Sequence, residues 1–429
     1  MIEIKIDRLL SDNKIYMSED TYKSQDLSST KVVLHFGILK KELNIELTNR
    51  LPAGQIILPE RLTSTISLPN LPYESFFKDD QFHLGPVIGF MPNTLYLKNP
   101  SLLMQRFKNY NKIKGLIMIF KEKDLNKKDL TINGYYYNPH TAELTKGTFP
   151  YPSAVFVRAR MTKKKLRHLK SLGINLFNYP QRNVNKLCFW ETVSQNQELK
   201  SHLPYTCMYS GTSSAEQMLS NCSAIYLKPL NKSGGRGIYK LEKHKSAFSL
   251  TDKKGNISRL DDLSDLENII KTQKYLMQQE VPVPFINKKV DFRIYMQRGY
   301  EAKWKGTAIE ARIAKEDSII TNSTGRERVL PGKAAMKEIY GMFKHEIDNK
   351  VSEITKLCIQ ALTLLEQQGD HYGDAAFDFI IDSRMKVWLL EVQIRYAAER
   401  KVFWSKEDQI ILPEVLPAPF EYAKALAGF

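Results

Sequence analysis

Cysteine and histidine are scarce in this chain, and neither is arranged for metal or redox chemistry. The 429 residues include four cysteines and eight histidines, with no CxxC pair, no HExxH motif and no Ser/His/Asp pattern. These absences argue against a zinc site, a disulfide framework and a nucleophilic triad. We expect free, buried thiols in a reducing compartment at Cys188, Cys207, Cys222 and Cys358.

Long apolar runs are also missing. No stretch approaches the roughly 20 apolar residues that a membrane-spanning helix needs. The opening residues, MIEIKIDRLLSDNKIYMSED, lack the charged, apolar and small-residue order of a secretory signal. We therefore expect a cytoplasmic protein with no membrane span.

Acidic residues are outnumbered by basic ones. The 47 Asp and Glu against 63 Lys and Arg give a formal net charge of +16. Such an excess favours an anionic partner, for which nucleic acid, an anionic surface and nucleotides are the candidates. The densest basic run, MTKKKLRHLK at 161–170, predicts the solvated face of a short helix, without an aromatic platform or a known nucleic-acid module. Nucleic acid is therefore not favoured as a partner.

The chain is long enough for two or three domains, and its composition is that of a globular protein. Residues 1–75 alternate short β-rich runs with turn clusters, which predicts a β-rich N-terminal domain. Strands alternate with helical stretches over 76–178, which predicts a small α/β domain. Residues 179–429 then carry helical segments at about 186–200 and 336–368, several strands and a closing short helix.

The segment GDAAFDFIIDSRMKVWLLEV predicts one antiparallel hairpin with a polar turn. If the turn is centred between Arg384 and Met385, Asp378 and Glu391 face each other across the two strands. Like charges in opposite positions destabilise a sheet unless something binds them. Gln393 points to the same face because side chains alternate along a strand, so three oxygen donors converge, and hard cations such as Mg²⁺ take such ligands. A hairpin with solvated acidic residues is the alternative.

A glycine-rich segment, LKPLNKSGGRGIYKL, lies upstream of the hairpin. It predicts a strand ending at Lys228, a turn through Ser233, Gly234, Gly235 and Gly237, and a second strand. Glycines let backbone N–H groups approach phosphate oxygens closely. An ordinary glycine-rich hairpin turn is the alternative, and the spacing excludes a GxxxxGK[ST] phosphate loop.

Two further strands carry candidate nucleotide contacts. YLMQQEV predicts a strand whose end, at Gln279, Glu280 and Val281, offers backbone groups to adenine and a carboxylate to ribose; a core strand with a polar end is the alternative. Arg293, in VDFRIYM, and Arg312, in EARIA, suit phosphate and carboxylate oxygens because guanidinium binds in a bidentate manner. Ordinary ion pairs are the alternative for both arginines.

The order of these motifs resembles the ATP-grasp superfamily. More closely, the segments INGYYYNPHTAELTKGTFPYP, NKLCFWET, LKPLNKSGGRGI, VDFRIYMQ, ARIAKEDSIITNSTG and DFIIDSRMKVWLLEV resemble the YheC/YheD-like ATP-grasp proteins of spore-forming bacteria. The resemblance implies an α+β chain: an ATP-grasp fold of two subdomains at 179–429, preceded by the small α/β domain and the β-rich unit.

The resemblance also implies roles for individual residues. Lys186 and Lys228 become ATP phosphate contacts, and 233–237 becomes the loop over the phosphates. Arg293, Arg312 and Asn322 line the phosphoryl and acceptor end. Asp378 and Glu391 become Mg²⁺ ligands, with Gln393 as the third donor. The family usually has Asn at the Gln393 position and a Pro-Gly shortly after it, and this chain has neither feature.

The activity implied is that of an ATP- and Mg²⁺-dependent carboxylate–amine ligase that works through an acylphosphate and is associated with sporulation. ATP, a carboxylate and an amine are then the expected partners. The alternative is a degenerate ATP-grasp protein with a structural or scaffold role among spore-coat proteins, which Gln393 and the missing Pro-Gly favour. The resemblance also implies a location in the mother-cell cytoplasm or at the forespore surface.

Overall fold

The structure, a computed structural model, describes residues 2–179, 184–230, 232, 234–245, 247–270, 273–284, 288–322, 324–403 and 406–429. The fold is α+β and has two compact units. The first contains the described residues of 1–179, 298–303 and 416–429, and the second those of 180–297 and 304–415. No helix in the described ranges is long and apolar enough to cross a membrane.

A mixed seven-stranded sheet opens the first unit, in the order β1-β5-β2-β4-β3-β7-β6. Its helix α1 spans Glu19–Ser24 and begins at Ser18, whose side chain accepts a hydrogen bond from the Thr21 backbone. The strands are β1 Glu3–Asp7, β2 Lys14–Met17, β3 Lys31–Phe36, β4 Leu39–Leu47, β5 Gln55–Pro59, β6 Glu74–Lys78 and β7 Gln81–Gly85.

The second sheet has the order β10-β11-β9-β8-β13-β14, with β12 paired to β11 as a hairpin. Strands β9, β8, β13 and β14 are parallel. The strands are β8 Val87–Met91, β9 Leu116–Ile119, β10 Leu125–Asn126, β11 Thr131–Asn138, β12 Glu143–Pro150, β13 Ala154–Val157 and β14 Asn175–Phe177. The α-helices are α2 Ser101–Met104, α3 Tyr110–Ile113 and α4 Lys163–Ser171, and 3₁₀ turns lie at Tyr96–Lys98, Gln105–Phe107 and Glu122–Asp124.

These two sheets share one hydrophobic core, which runs from Ile15 to Leu176. The boundary predicted at residue 75 falls inside β6, so the first sheet continues ten residues further, to Gly85. The division into three domains stays a prediction.

The basic run at 161–170 forms α4, which buries Leu166 and Leu169.

An antiparallel six-stranded sheet opens the second unit, in the order β15-β20-β16-β17-β18-β19. The strands are β15 Thr206–Met208, β16 Ala224–Pro229, β17 Tyr239–Lys243, β18 Phe248–Asp252, β19 Ile257–Leu260 and β20 Tyr275–Gln279. The helices are α5 Lys186–Val193, α6 Gln197–Ser201, α7 Thr212–Asn221 and α8 Ser264–Ile270. The single helix predicted at 186–200 is thus two helices, because Asn196 caps a new helix start.

The fourth sheet has the order β23-β22-β21-β24-β25. Its strands are β21 Val290–Arg298, β22 Trp304–Ala314, β23 Arg326–Pro331, β24 Asp374–Ile381 and β25 Val387–Gln393. The α-helices are α9 Gly332–Tyr340, α10 Lys344–Glu366, α11 Lys406–Gln409 and α12 Leu412–Val415, and a 3₁₀ turn spans Ala398–Phe403. The helix predicted at 336–368 is interrupted at Gly341, which ends α9 in a left-handed conformation with φ +66°. Helix α10 packs its apolar face on this sheet.

The chain returns to the first unit with a last helix, α13, at Pro419–Leu426. Its Phe420 is buried and packs against Phe90, Phe107 and Phe156 at ring-centroid distances of 5.5, 5.7 and 6.2 Å. The predicted closing helix is confirmed, and it completes the core on the second sheet.

Candidate functional site

Two cavities lie side by side in the second unit. The first has a volume of about 430 Å³ and the second about 440 Å³, and both are lined by Tyr226, Lys228, Lys289, Ile319 and Leu390. The first cavity contains most of the residues singled out in the sequence. Those residues are Lys186, Lys228, Gly234, Gly235, Arg293, Arg312, Asn322, Asp378, Glu391 and Gln393.

Strands β24 and β25 place the two acidic residues of the hairpin opposite each other. Asp378 pairs with Glu391, as predicted, but the turn is centred on Arg384 because Ile381 pairs with Val387. The register shifts between Phe379 and Asp378, which leaves Leu390 as an extra residue in β25. This β-bulge moves the pairing by one residue and directs Glu391 toward Asp378.

Two arginines hold Asp378. The Arg293 guanidinium donates in a bidentate manner to its two oxygens at 2.6 and 2.9 Å, and an Arg312 nitrogen lies 3.1 Å from Oδ2. Burial raises the pKa of Asp378, but the two guanidinium groups outweigh it and hold that pKa well below its usual range. Asp378 is therefore ionised at any pH at which the protein would work.

Arg312 continues the network to a second aspartate. Its Nε donates to Asp291 Oδ1 at 2.7 Å, and the Thr321 hydroxyl donates to the other Asp291 oxygen. All of these side chains line the first cavity. Acidic and basic side chains therefore alternate along the wall of the first cavity, in the order Asp378, Arg312, Asp291.

Glu391 is bound by a lysine and an amide. Lys186 Nζ lies 3.0 Å from Glu391 Oε2, and the Gln393 side-chain nitrogen donates to Oε1 at 2.8 Å. Within the described ranges, no group of three or more His, Cys, Asp or Glu side chains could hold a metal ion. The predicted set needs only two carboxylates and an amide, and these hard oxygen donors on one cavity wall fit Mg²⁺, which shares its remaining positions with water and phosphate. Their assignment as ligands stays a prediction.

Gly234 and Gly235 of the glycine-rich turn line the first cavity, and Gly237 is not among its lining residues. Gly234, Gly235 and Gly237 all have positive φ, between +68° and +72°. The Asn322 amide donates to the Gly234 carbonyl oxygen, and a Cβ on Gly235 would lie 2.6 Å from the same amide nitrogen. Only glycine fits that position. Ser233, also predicted to belong to the loop, lies outside the described residues.

Lys228 is half-buried and lines both cavities. Its Nζ donates to the Gln278 side-chain oxygen, and Gln278 donates in turn to the Thr206 hydroxyl at 3.0 Å. Burial and the neighbouring Lys289 ammonium lower the pKa of Lys228 to about 7. Lys228 therefore gains little from its surroundings when it is charged, and an anion in the cavity would stabilise its charged form.

The second cavity is lined by the predicted adenine segment of Gln279, Glu280 and Val281. Glu280 lies 3.0 Å from Lys240 Nζ. The backbone N–H groups of Gln279 and Glu280 already donate to carbonyl oxygens of Tyr205 and Ala224. A base would therefore have to be recognised by other backbone groups at the end of this segment.

Sequence reasoning missed two residues that line both cavities, Tyr226 and Lys289. The sequence did contain a signal for both residues, because side chains two residues apart on a strand point to the same face. Tyr226 precedes Lys228 by two residues, and Lys289 precedes Asp291 by two, so each shares the face of a residue that was already singled out. Gln278, which lines the second cavity, was missed because a glutamine in a strand has no distinctive pattern.

The chain is similar to several known proteins. Residues 173–426 match the model of the YheC/D like ATP-grasp family. The endospore coat-associated protein YheD of Bacillus subtilis (strain 168) is 26% identical over 368 residues, which are 79% of each chain.

Among solved structures, D-alanyl-alanine synthetase A of Vibrio cholerae is 10% identical, with a TM-score of 0.41 over 77% of this chain and 98% of that one. The ATP-grasp ligase PsnB, in complex with a minimal precursor, Mg and ADP, is 10% identical with a TM-score of 0.44 over 80% and 98%. On the family match, which covers more than half of its residues, the chain belongs to the YheC/D-like ATP-grasp family and has the ATP-grasp fold.

Proposed function

We propose that this protein is an ATP- and Mg²⁺-dependent carboxylate–amine ligase that works through an acylphosphate. The observation that carries the proposal is the first cavity, where Asp378 and Glu391 face each other beside Arg293, Arg312, Lys186 and Lys228. Carboxylates, guanidinium groups and ammonium groups together suit the transfer of a phosphoryl group between two oxygens.

Each set of side chains has a role in this reaction. Lys228 and Lys186 neutralise the phosphate chain, and the turn at 234–237 covers it. Mg²⁺, held by Asp378, Glu391 and Gln393, would supply additional charge neutralisation. Arg293 and Arg312 orient the carboxylate and stabilise charge on the transferred group. No side-chain nucleophile is required, because binding aligns the amine with the acylphosphate.

The product of ATP cleavage tests this mechanism. The intact protein is incubated with MgATP and with carboxylic acids that have no amino group and amines that have no carboxyl group, singly and in pairs, and the nucleotide products are separated. We expect ADP and phosphate only where a carboxylate and an amine are both present, with at least a 100-fold lower rate in Asp378→Asn/Glu391→Gln. Formation of AMP and pyrophosphate would contradict an acylphosphate.

A second candidate function is a degenerate ATP-grasp protein that serves as a scaffold. The observation that favours it is the complete pairing of the acidic residues: Asp378 is bound by two arginines and Glu391 by Lys186 and Gln393. These two acidic residues are thus paired without a metal. MgATP binding without turnover of any carboxylate and amine pair would support this candidate over the ligase.

The name of the Bacillus subtilis relative, an endospore coat-associated protein, supports a role in sporulation. We propose that this protein acts in the mother-cell cytoplasm or at the forespore surface, with spore-coat proteins as neighbours. Imaging of a fluorescent fusion during sporulation tests this location, and uniform fluorescence of the mother cell and the forespore would contradict it.

A further inference from the structure

Two half-buried lysines lie close to one tyrosine where the two cavities meet. Lys289 Nζ lies 3.9 Å from the centroid of the Tyr226 ring, and Lys228 Nζ lies 5.6 Å from it. Lys289 also donates to the Ile319 carbonyl oxygen at 3.3 Å. The Tyr226 hydroxyl points to Glu280, at 3.5 Å, on the side of the second cavity.

Neither ammonium group forms an ion pair with a carboxylate in the part of the chain that the structure describes. Lys228 has the neutral Gln278 oxygen, and Lys289 has the tyrosine ring and one carbonyl. Burial is the main cause that lowers the pKa of Lys228 to about 7 and that of Lys289 to about 8. A ring face and two neutral oxygens compensate only part of the cost of burying two like charges.

We propose that Lys289 is a third lysine contact to phosphate, which acts with Lys228 on the polyphosphate of a bound nucleotide. The inference rests on the proposed nucleotide site and adds a residue to it. A polyphosphate between the two lysines supplies the missing negative charge, and its binding therefore draws protons onto both.

Other charged groups also act on this pair, and none of them is a direct partner of either lysine. Around Lys289 they are Asp291, Glu280, Lys240 and Arg312, and around Lys228 they are Glu391, Lys186 and Asp291. Asp291 is already held by Arg312, Glu391 by Lys186 and Glu280 by Lys240. The anion that best completes the pair is therefore an external one.

Binding experiments distinguish a phosphate contact at Lys289 from a purely structural role, in which Lys289 only packs on Tyr226. A structural lysine affects the binding of adenosine and ATP alike, because it shapes the site as a whole. A phosphate contact affects ATP far more than adenosine. Proton uptake separates the two roles further, since only a lysine that becomes charged on binding contributes to it.

The experiment is calorimetric titration of the full-length protein with MgATP at pH 8, in buffers of different ionisation enthalpy. At that pH the nucleotide phosphates are already ionised, so proton uptake reports on the protein. We expect an uptake of about one proton or more per ATP in the wild type, falling toward zero at pH 6. Lys289→Met should lose the share of this uptake that belongs to Lys289, about half a proton, and bind ATP about 10-fold or more weakly, while its adenosine affinity changes less than about 3-fold.

Two further variants complete the test. Lys289→Arg keeps a permanent charge, so it should retain ATP affinity within about 5-fold while losing the share of proton uptake that belongs to this position. Lys356→Met, which removes an exposed lysine of α10 that pairs with Glu198 of α6, should behave as the wild type. Wild-type ATP affinity and proton uptake in Lys289→Met, or equal losses for adenosine and ATP, would overturn the inference and leave the nucleotide site standing. Absence of any ATP binding by the wild type would overturn both.

Discussion

Arg293 and Arg312 connect distant parts of the second unit through Asp378. The residues of the Arg293 pair are 85 positions apart in the chain, and both side chains are largely buried. Arginine keeps its charge when it is buried, and its fork matches both carboxylate oxygens. The same arginines thus position the proposed metal ligand and offer cations to a phosphoryl group.

Lys228 should lower the free energy of unfolding of the protein without nucleotide, although it favours nucleotide binding. Its pKa is about 7 in the folded chain against 10.5 ordinarily, so the unfolded state binds more protons between these values. The free energy of unfolding therefore contains a penalty that is absent above pH 10.5, grows as pH falls toward 7, and is constant below it. Without nucleotide, Lys228→Met should be more stable than the wild type at pH 7, and its advantage should shrink at pH 9.

Urea unfolding followed by tryptophan fluorescence checks this prediction. The tryptophans among the described residues, Trp190, Trp304 and Trp388, all lie in the second unit, so their fluorescence reports on that unit. The same stability difference between variant and wild type at pH 7 and pH 9 would contradict a depressed lysine pKa.

Gly235 should be essential for the glycine-rich turn. Gly235→Ala places a methyl group 2.6 Å from the Asn322 amide and 2.9 Å from Ile320, at a φ of +69°. We expect at least a 10-fold loss of ATP affinity by calorimetry, because the turn cannot keep its position at the cavity.

Gly341→Ala is the matched control: it has the same sign of φ, +66°, but open space around the added atom. It should cost about 1 kcal/mol of stability and leave ATP affinity unchanged, and equal ATP affinities in the two variants would count against the steric explanation.

At the scale of elements, the sequence predicted the hairpin of β24 and β25 and the face shared by Asp378, Glu391 and Gln393. Strong apolar periodicity and a polar turn carried that information. The bulge at Leu390 was not predicted, because an extra residue in a strand depends on packing against the rest of the sheet rather than on local pattern. The break between α9 and α10 had a local signal, Gly341, which the apolar periodicity on both sides obscured.

The 3₁₀ turn at Ala398–Phe403 is held to β22 by a buried ion pair between Lys401 and Glu310, to which the Tyr295 hydroxyl also donates. Removing one partner leaves a buried charge without its counterion, so Lys401→Met should cost about 3–5 kcal/mol. Lys401→Met/Glu310→Gln should recover a large part of that loss. Urea unfolding of the two single variants and the double variant measures the coupling, and simple addition of the single losses would contradict a direct pair.

At the scale of the whole molecule, the order of motifs was more informative than any single one. A lysine strand, a glycine-rich turn, a DxR strand and an acidic hairpin predicted the ATP-grasp fold, which the family match confirms. The pairing of Asp378 with two arginines and of Lys289 with Tyr226 could not be predicted, because these contacts join residues that only the tertiary structure brings together.

The last helix should be required for the stability of the first unit, although it comes from the far end of the chain. Phe420→Ala removes a ring buried among Phe90, Phe107 and Phe156, and should cost about 3–5 kcal/mol. Hydrogen exchange followed by mass spectrometry should show faster exchange in β8 and β13. Phe343→Ala, at a ring that is 72% exposed, is the control, and unchanged protection of β8 and β13 in Phe420→Ala would contradict the packing role of α13.

The central claim is a Mg²⁺-dependent ATP site built on Asp378 and Glu391. The most direct measurement is calorimetric titration of ATP, with and without Mg²⁺, into the intact protein and into Asp378→Ala/Glu391→Ala, with circular dichroism to verify that the variant is folded. We predict tight binding that needs Mg²⁺ and is lost in the double variant. No binding to the intact protein, or equal binding to a folded double variant, would contradict it.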